Sequence, residues 1–427
     1  MSDIQITKIN PYFSVITEYI SDFPSVAIGV FFQHGSRNET AEMNGISHLI
    51  EHMLFKGTKN KTAKDIAYIS ESAGAVIDGF TTREISGIYC RCLASEFDKM
   101  LDLMSEIISL PLFDPNGLEK EKQVIAQEIA ESLDDPQEQV FALLFEALFQ
   151  NHPLSFSSVG KVDTINKLTH DVIADYYFMK FLPSKVCISA AGNIGHLKLV
   201  DKLQLKSHQI LASNPIPIIR PNIDTERTTI IQTRCNLTQL YAAAASPTFS
   251  YRDEERYGMI VLNNIWGGAM SSRLFQRVRE QEGLAYSIFS FVDFYSDIGI
   301  LGAYFVSDVK NQEKIYRCGY EETIKLQKDG ITQAEFDNAI NSCKGMLTLS
   351  SEDSMSRMIR NAKNDLLLNR CVSTEESILK FEQLSIDKVN ALTVALPGEY
   401  SVANVGPIDQ LDYLKQSGGP QKVIVKD

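Results

Sequence analysis

At 427 residues the chain is long for a single domain and is expected to form two to four, each with a substantial core. A hydrophobic content of 44% and a charged content of 22% are those of an ordinary globular protein. A formal net charge of −13 argues against non-specific nucleic-acid binding and favours cationic partners.

No stretch approaches 18 consecutive apolar residues, so no membrane span is expected. The opening MSDIQITKINPYFSVITEY lacks the basic-then-apolar pattern of a secretory leader. The seven cysteines are scattered and odd in number, which fits a reduced, cytoplasmic compartment.

In chain order, SVAIGVFFQ reads as a short buried strand. From Ile46 to Phe55 the spacing is helical. At about 100° per residue, Ile46, Leu49, Ile50, Met53 and Leu54 share one side, and His48, Glu51 and His52 share the other. Thr62 and Asp65 have the spacing of a helix N-terminal cap, and that helix is expected to stop before Gly74. In IYCRCLA, Cys90 and Cys92 alternate on one face of a strand, as buried thiols rather than metal ligands. Ser95 opens a helix carrying Phe97, Met100, Leu101, Met104, Ile107 and Ile108 on one stripe. In EKEKQVIAQEIAESL the buried stripe is Leu118, Ile125, Ile129 and Leu133, with Glu121 and Glu128 together at its edge. VCISAAGNI and LYAAAASPT read as further buried strands.

Between these two strands, SNPIPIIRPN places Pro215, Pro217 and Pro221 within seven residues, near the midpoint of the chain. Such a segment is stiff and extended. The expected organisation is therefore a domain over 1–212, a linker over 213–228 and a domain over 229–427. The halves echo each other: AGAVIDGFTTREISGIYCRCLASEFDKMLDLMSEIISL and GLAYSIFSFVDFYSDIGILGAYFVSDVKNQEKIYRCGYEETIKL each run glycine, alternating strands, long amphipathic helix. Strands followed by helices, twice, give an α+β class with helices layered on sheets.

His48 and His52, four apart on a helix, can share one cation. Glu51 lies on the same face as a further ligand or a base. No histidine follows His208, so the second half supplies none, and an acid is the natural third ligand. Glu121 and Glu128 are candidates for it; surface acids on a charged helix are the plain alternative.

Taken together, SVAIGVFFQHGSRNE, GISHLIEHMLFKGT, VIAQEIAESLDDP, YYFMKFLPSKVCISAAGNI and GGAMSSRLFQRVREQEGLAYS resemble the pitrilysin and insulysin family of zinc peptidases, the inverzincins. The likeness is strongest to bacterial processing proteases and to the β subunit of the mitochondrial processing peptidase. It implies one Zn2+ per chain on His48, His52 and Glu128, with Glu51 as general base and Glu121 orienting a ligand histidine. Arg279 and Tyr286 match a pair that contacts the substrate carbonyl and helps stabilise the tetrahedral intermediate. The resemblance further implies two similar halves, each a mostly antiparallel sheet packed with helices, and a homodimeric clamshell. Such a clamshell would enclose a chamber for short or unfolded peptides, and the net negative charge, to which Asp134, Asp135 and Glu138 are expected to contribute, would favour basic ones. No nucleic acid or membrane partner is implied.

The family commonly carries Asn-Ala-Phe/Tyr-Thr on a strand edge that pairs with substrate backbone; this chain reads Asp78-Gly79-Phe80-Thr81. An ionised aspartate accepts hydrogen bonds and cannot donate them, which bears on substrate preference. KINPYFSVITE also lacks the family's usual Asn-Gly turn. Two other readings stay open at this level: a non-catalytic structural relative, and a subunit that needs an unlike partner.

Overall fold

The alternating apolar segments fold as strands in two six-stranded sheets. The computed structural model describes residues 3–210, 223, 228–396, 400–408 and 422–426. The expected linker, 213–228, lies outside the described residues except for 223 and 228.

The first sheet contains β1 (Asp3–Asn10), β2 (Phe13–Tyr19), β3 (Ser25–Phe32), β4 (Val76–Thr81), β5 (Ser86–Leu93) and β6 (Val186–Gly192), in the order β1-β2-β6-β3-β5-β4. Only β2 and β6 pair in parallel. The second contains β7 (Thr228–Thr233), β8 (Leu240–Thr248), β9 (Ala285–Phe294), β10 (Gly299–Ser307), β11 (Ser401–Gly406) and β12 (Lys422–Lys426), in the order β12-β7-β11-β8-β10-β9. Five positions correspond in order and direction: β2, β6, β3, β5 and β4 with β7, β11, β8, β10 and β9. The sixth does not. β1 is antiparallel to β2, whereas β12 is parallel to β7. The class is α+β with two similar halves, and the echo in the sequence is the β4–β5 and β9–β10 hairpins, each followed by a helix.

Helices cover the sheets, and the apolar stripes expected over 46–55, 97–108 and 118–133 fall on helices of the first half. In the first half these are α1 (Ile46–Leu54), α2 (Ala63–Ser72), α3 (Phe97–Ser109) and α4 (Pro115–Asp134); α5 (Pro136–Phe149) follows. Thr62 and Asp65 cap α2 reciprocally, at 3.2 Å and 2.9 Å. All six stripe residues of α3 are buried, although a 3-10 turn over Ala94–Glu96 precedes it, and no side chain caps it. Cys90 and Cys92 are buried in β5. On α4, Leu118, Ile125 and Ile129 are buried, but Leu133, expected beside them, is 55% exposed in the last turn.

By contacts, the chain divides into one unit of residues 1–130, 156–221 and 348–374 and another of 131–155, 222–347 and 375–427. Each sheet thus recruits a helix from the far half of the sequence: α5 lies on β7, β8 and β11, and the helix Ser354–Leu368 lies on β2, β3 and β6.

In the first unit a buried charge dictates that recruitment. Glu18 on β2 is fully buried. It accepts from Arg357, from Arg360 at 3.2 Å and from Asn361 at 2.7 Å, all on Ser354–Leu368. Asp365, one turn on, accepts from Ser14 of β2 and lies 3.8 Å from Lys185. A carboxylate with no access to water needs such partners, and removing one side of a buried pair typically costs about 3–5 kcal/mol. Both acids sit at positions that no local pattern marks as paired.

Truncating one end of this network tests it. Glu18→Ala leaves Arg357 and Arg360 without their carboxylate and is expected to lower stability by about 3–5 kcal/mol in urea unfolding. A loss below about 1 kcal/mol would show that the network does not hold this helix in place.

Candidate metal centre

The centre starts with the placement of α1. Its stripe of Ile46, Leu49, Ile50, Met53 and Leu54 is buried in the core of the first unit, so the opposite face must look outward. The helix enters through Gly45 at φ +98, where a Cβ would lie 2.7 Å from Ile165 Cδ1 and 2.8 Å from Gly160 Cα. Glu39 then takes the place of a local cap. One of its oxygens accepts from Gly45 N at 2.8 Å and Asn44 Nδ2 at 2.9 Å, the other from Ser47 N at 2.9 Å. Burial pushes the Glu39 carboxyl above its usual range, and these bonds oppose the shift.

On the outward face the two imidazoles meet edge to face, with centroids 4.6 Å apart. Glu128 of α4 approaches both: its Oε2 lies 3.7 Å from His48 Nε2 and 3.6 Å from His52 Nε2. One donor atom from each of the three residues falls within 4.8 Å of the other two. Donors ~2.0–2.2 Å from a tetrahedral ion lie roughly 3.3–3.6 Å apart, so the residues present fit a zinc ion with little adjustment.

The protonation states agree with that use. Burial, with a smaller contribution from the neighbouring His52, lowers the His48 pKa to about 4, which leaves a neutral ring with a lone pair at neutral pH. Glu121 of α4 faces His52 Nδ1 at 3.2 Å. A carboxylate only accepts, so Nδ1 carries the proton and Nε2 is left free to ligate. Glu121 is itself buried and held by Lys56 at 2.7 Å.

Glu51 leans toward β4 instead. Thr81 Oγ1 donates to its Oε2 at 2.6 Å. A Cβ at position 79 would lie 2.8 Å from Glu51 Cγ and 3.1 Å from its Oε1, so the absent side chain of Gly79 makes room for the carboxylate. Burial raises the Glu51 pKa, Thr81 and His52 oppose this, and Asp78 and Glu128 add to it. Residues 78 and 80 point to the other face of the sheet. There Asp78 accepts from Tyr89 Oη at 3.3 Å, and the Phe80 ring lies 5.9 Å from that of Phe31.

Comparison with known proteins shows the family and the fold. The profile of the insulinase family, peptidase family M16, matches residues 14–161, and that of the peptidase M16 inactive domain matches 167–343. A Bacillus subtilis protein described as the uncharacterized zinc protease YmxG is 35% identical over 384 residues, spanning 90% of this chain and 93% of that one. The chain belongs to the insulinase family. An uncharacterized zinc protease of Mycobacterium tuberculosis is 30% identical over 400 residues, 92% of this chain and 91% of its own. Two solved structures share the fold. A peptidase M16 inactive domain from Pseudomonas fluorescens has a TM-score of 0.86 at 18% identity, covering 96% of this chain and 99% of that one. A protease from Helicobacter pylori has a TM-score of 0.86 at 19% identity, covering 95% and 100%. The inactive-domain match falls largely on the half that lacks histidine after His208.

For an insulinase-family chain, the first unit gathers His48, His52, Glu51, Glu121, Glu128, Gly79 and Thr81 at one place. Arg279 and Tyr286 belong to the second unit. Arg279 lies on the helical turns Phe275–Gln281 with its guanidinium 4.9 Å over the Phe275 ring. Tyr286 is the second residue of β9 and is 76% exposed. Of the acids expected to attract basic peptides, Asp135 is engaged locally: it caps α5, accepting from Gln137 N at 2.7 Å.

Sequence reasoning missed Lys56 and Glu39, and it missed the hydrogen bond from the Thr81 side chain to Glu51. Lys56 follows His52 by four residues, a spacing that could have flagged it. Glu39 sits outside any local capping window and carries no such mark.

If Glu121 orients His52, Glu121→Ala is expected to weaken zinc binding roughly 10–100-fold in chelator competition, with the fold intact by circular dichroism. Unchanged affinity would remove Glu121 from the centre.

Proposed function

We propose that this chain is a zinc-dependent endopeptidase, with the metal on His48, His52 and Glu128 and with Glu51 as general base. The observation that carries the reading is the convergence of three donor atoms from α1 and α4 within 4.8 Å, with Glu51 on the same helix face but bonded elsewhere. Bound there, zinc would polarise a scissile carbonyl and lower the pKa of a water toward neutrality.

The chain's own residues divide the remaining work. Thr81 holds Glu51 Oε2, which leaves Oε1 to accept the water's proton and deliver it to the leaving amine. Glu121 and Lys56 keep His52 in one tautomer. The free edge of β4, at Gly79 and Thr81, offers backbone groups to an extended peptide, the usual mode of strand addition. Arg279 and Tyr286 supply a guanidinium and a phenol for the developing oxyanion. In this reading they come from the partner in a homodimer, and the substrate is a short or unfolded, basic peptide in a cytoplasmic setting. Whole-family likeness and the overall negative charge support these finer points.

Two measurements test it. Glu51→Gln is expected to retain about one zinc per chain while cleavage of an unstructured basic peptide falls by roughly 10²–10⁴-fold. Wild-type protein that binds zinc and cleaves nothing until an unlike partner is added would overturn the self-sufficient reading. For the shared site, an Arg279/Tyr286 double variant mixed with Glu51→Gln under subunit exchange is expected to regain activity. Verified mixed dimers that stay inactive would rule out sharing.

A further inference from the structure

The edge of β4 is partly closed by its own side chain. The hairpin joining β4 to β5 shuts with Thr82 N–H on Ile85 O at 2.9 Å. Hydrogen-bonded and non-hydrogen-bonded pairs alternate along an antiparallel ladder, and the register pairs Phe80 with Gly87 and Asp78 with Tyr89. The N–H and C=O groups of residues 78 and 80 therefore point at β5, and those of Gly79 and Thr81 point at the open edge. Among the described residues β4 is the last strand of its sheet. The outward N–H of Gly79 is nevertheless engaged: Asp78 Oδ1 accepts it at 2.8 Å. Tyr89 Oη holds the other oxygen at 3.3 Å.

A side-chain acceptor on a strand competes with the ladder for backbone N–H groups. Here it competes with an incoming strand, much as charged residues blunt edge pairing elsewhere. An amide at position 78 can turn its NH2 toward an incoming carbonyl. A carboxylate has no donor to offer, so a neutral peptide that displaces Asp78 leaves its Oδ1 to water, with the Tyr89 hydroxyl still on Oδ2. A cation on the peptide resolves this. The peptide residue opposite Asp78 shares its face of the sheet, with Cβ atoms roughly 4.5–5.5 Å apart, beside the Phe80 and Tyr89 rings, whose centroids lie 6.3 Å apart. An arginine or lysine there draws the carboxylate off the Gly79 N–H and lays its stem on aromatic surface.

We propose that Asp78 is a specificity-determining residue: it guards the free edge of β4 and yields to peptides with a basic residue at the position that pairs opposite it. This rests on the endopeptidase reading for its activity readout, though not for its binding readout. Because side chains alternate, the preference falls on one position and skips its immediate neighbours.

The test uses peptide pairs that differ only in arginine against citrulline at one position, scanned along the peptide. Cleavage by the zinc-loaded wild type is expected to favour arginine at one position by roughly three- to tenfold in kcat/KM, carried by KM. In Asp78→Asn and Asp78→Ala the ratio is expected to fall below about 1.5-fold, and the citrulline peptide to bind better to Asp78→Ala than to wild type. A preference that persists in both variants, or none in the wild type, overturns the proposal. The same pairs, titrated by fluorescence anisotropy against Glu51→Gln and Glu51→Gln/Asp78→Asn, separate the two claims. Asp78-dependent binding without wild-type cleavage refutes the peptidase reading alone. Cleavage with Asp78-independent binding refutes the guard alone.

Discussion

Three carboxylates, Glu51, Glu121 and Glu128, lie around two imidazoles, and the centre depends on keeping each acid with a different partner. Chemically equal groups this close would otherwise share protons and repel. Lys56 and His52 Nδ1 claim Glu121. Thr81 claims Glu51. Glu128, with its side chain 39% exposed, is left facing both Nε2 atoms. Identical functional groups thus acquire three different surroundings, which is what the proposed roles of orienting group, base and ligand require. The separation holds only while α1, α4 and β4 keep their places. That in turn requires the buried stripe of α1, the Glu39 bonds at its entry and the glycine at position 79.

The doubled architecture gives that centre one copy. Five strands correspond between the sheets in order and direction, yet histidine is absent from the second half. The second half carries instead exposed groups of another kind, Tyr286 on β9 and Arg279 just before it. The corresponding hairpins are used differently as well. β4 brings backbone and Thr81 to Glu51, and β9 presents a phenol. A repeated scaffold with divergent edges is a simple route from one fold to two different surfaces.

How much was legible depended on the range of the interaction involved. His48, Glu51 and His52 share a helix face because they are three and four residues apart, so periodicity alone placed them opposite the apolar stripe. Glu121 and Glu128 were recognisable as a pair on α4 by the same reasoning, and the family resemblance chose Glu128 as the ligand. Long-range choices left no local trace. Glu39 reaches α1 from outside any capping window, Glu18 finds its arginines more than 300 residues away, and helices 136–149 and 354–368 lie on the sheet of the opposite half. Nor could periodicity reveal that Thr81 and Gly79 serve Glu51, since a two-residue alternation says which face a side chain takes but not what stands there. The departure at position 78 was visible as a substitution. Its meaning required the register of β4 against β5, which assigns the Gly79 N–H to the open edge.

X-ray absorption at the zinc edge of the metal-loaded protein tests the centre most directly. The account predicts two imidazole nitrogens and carboxylate or water oxygen at ~2.0–2.2 Å, with a spectrum that loses one imidazole in His48→Ala and is unchanged in Glu51→Gln. Sulfur scattering at ~2.3 Å, or a first sphere that changes when Glu51 is replaced, would contradict it.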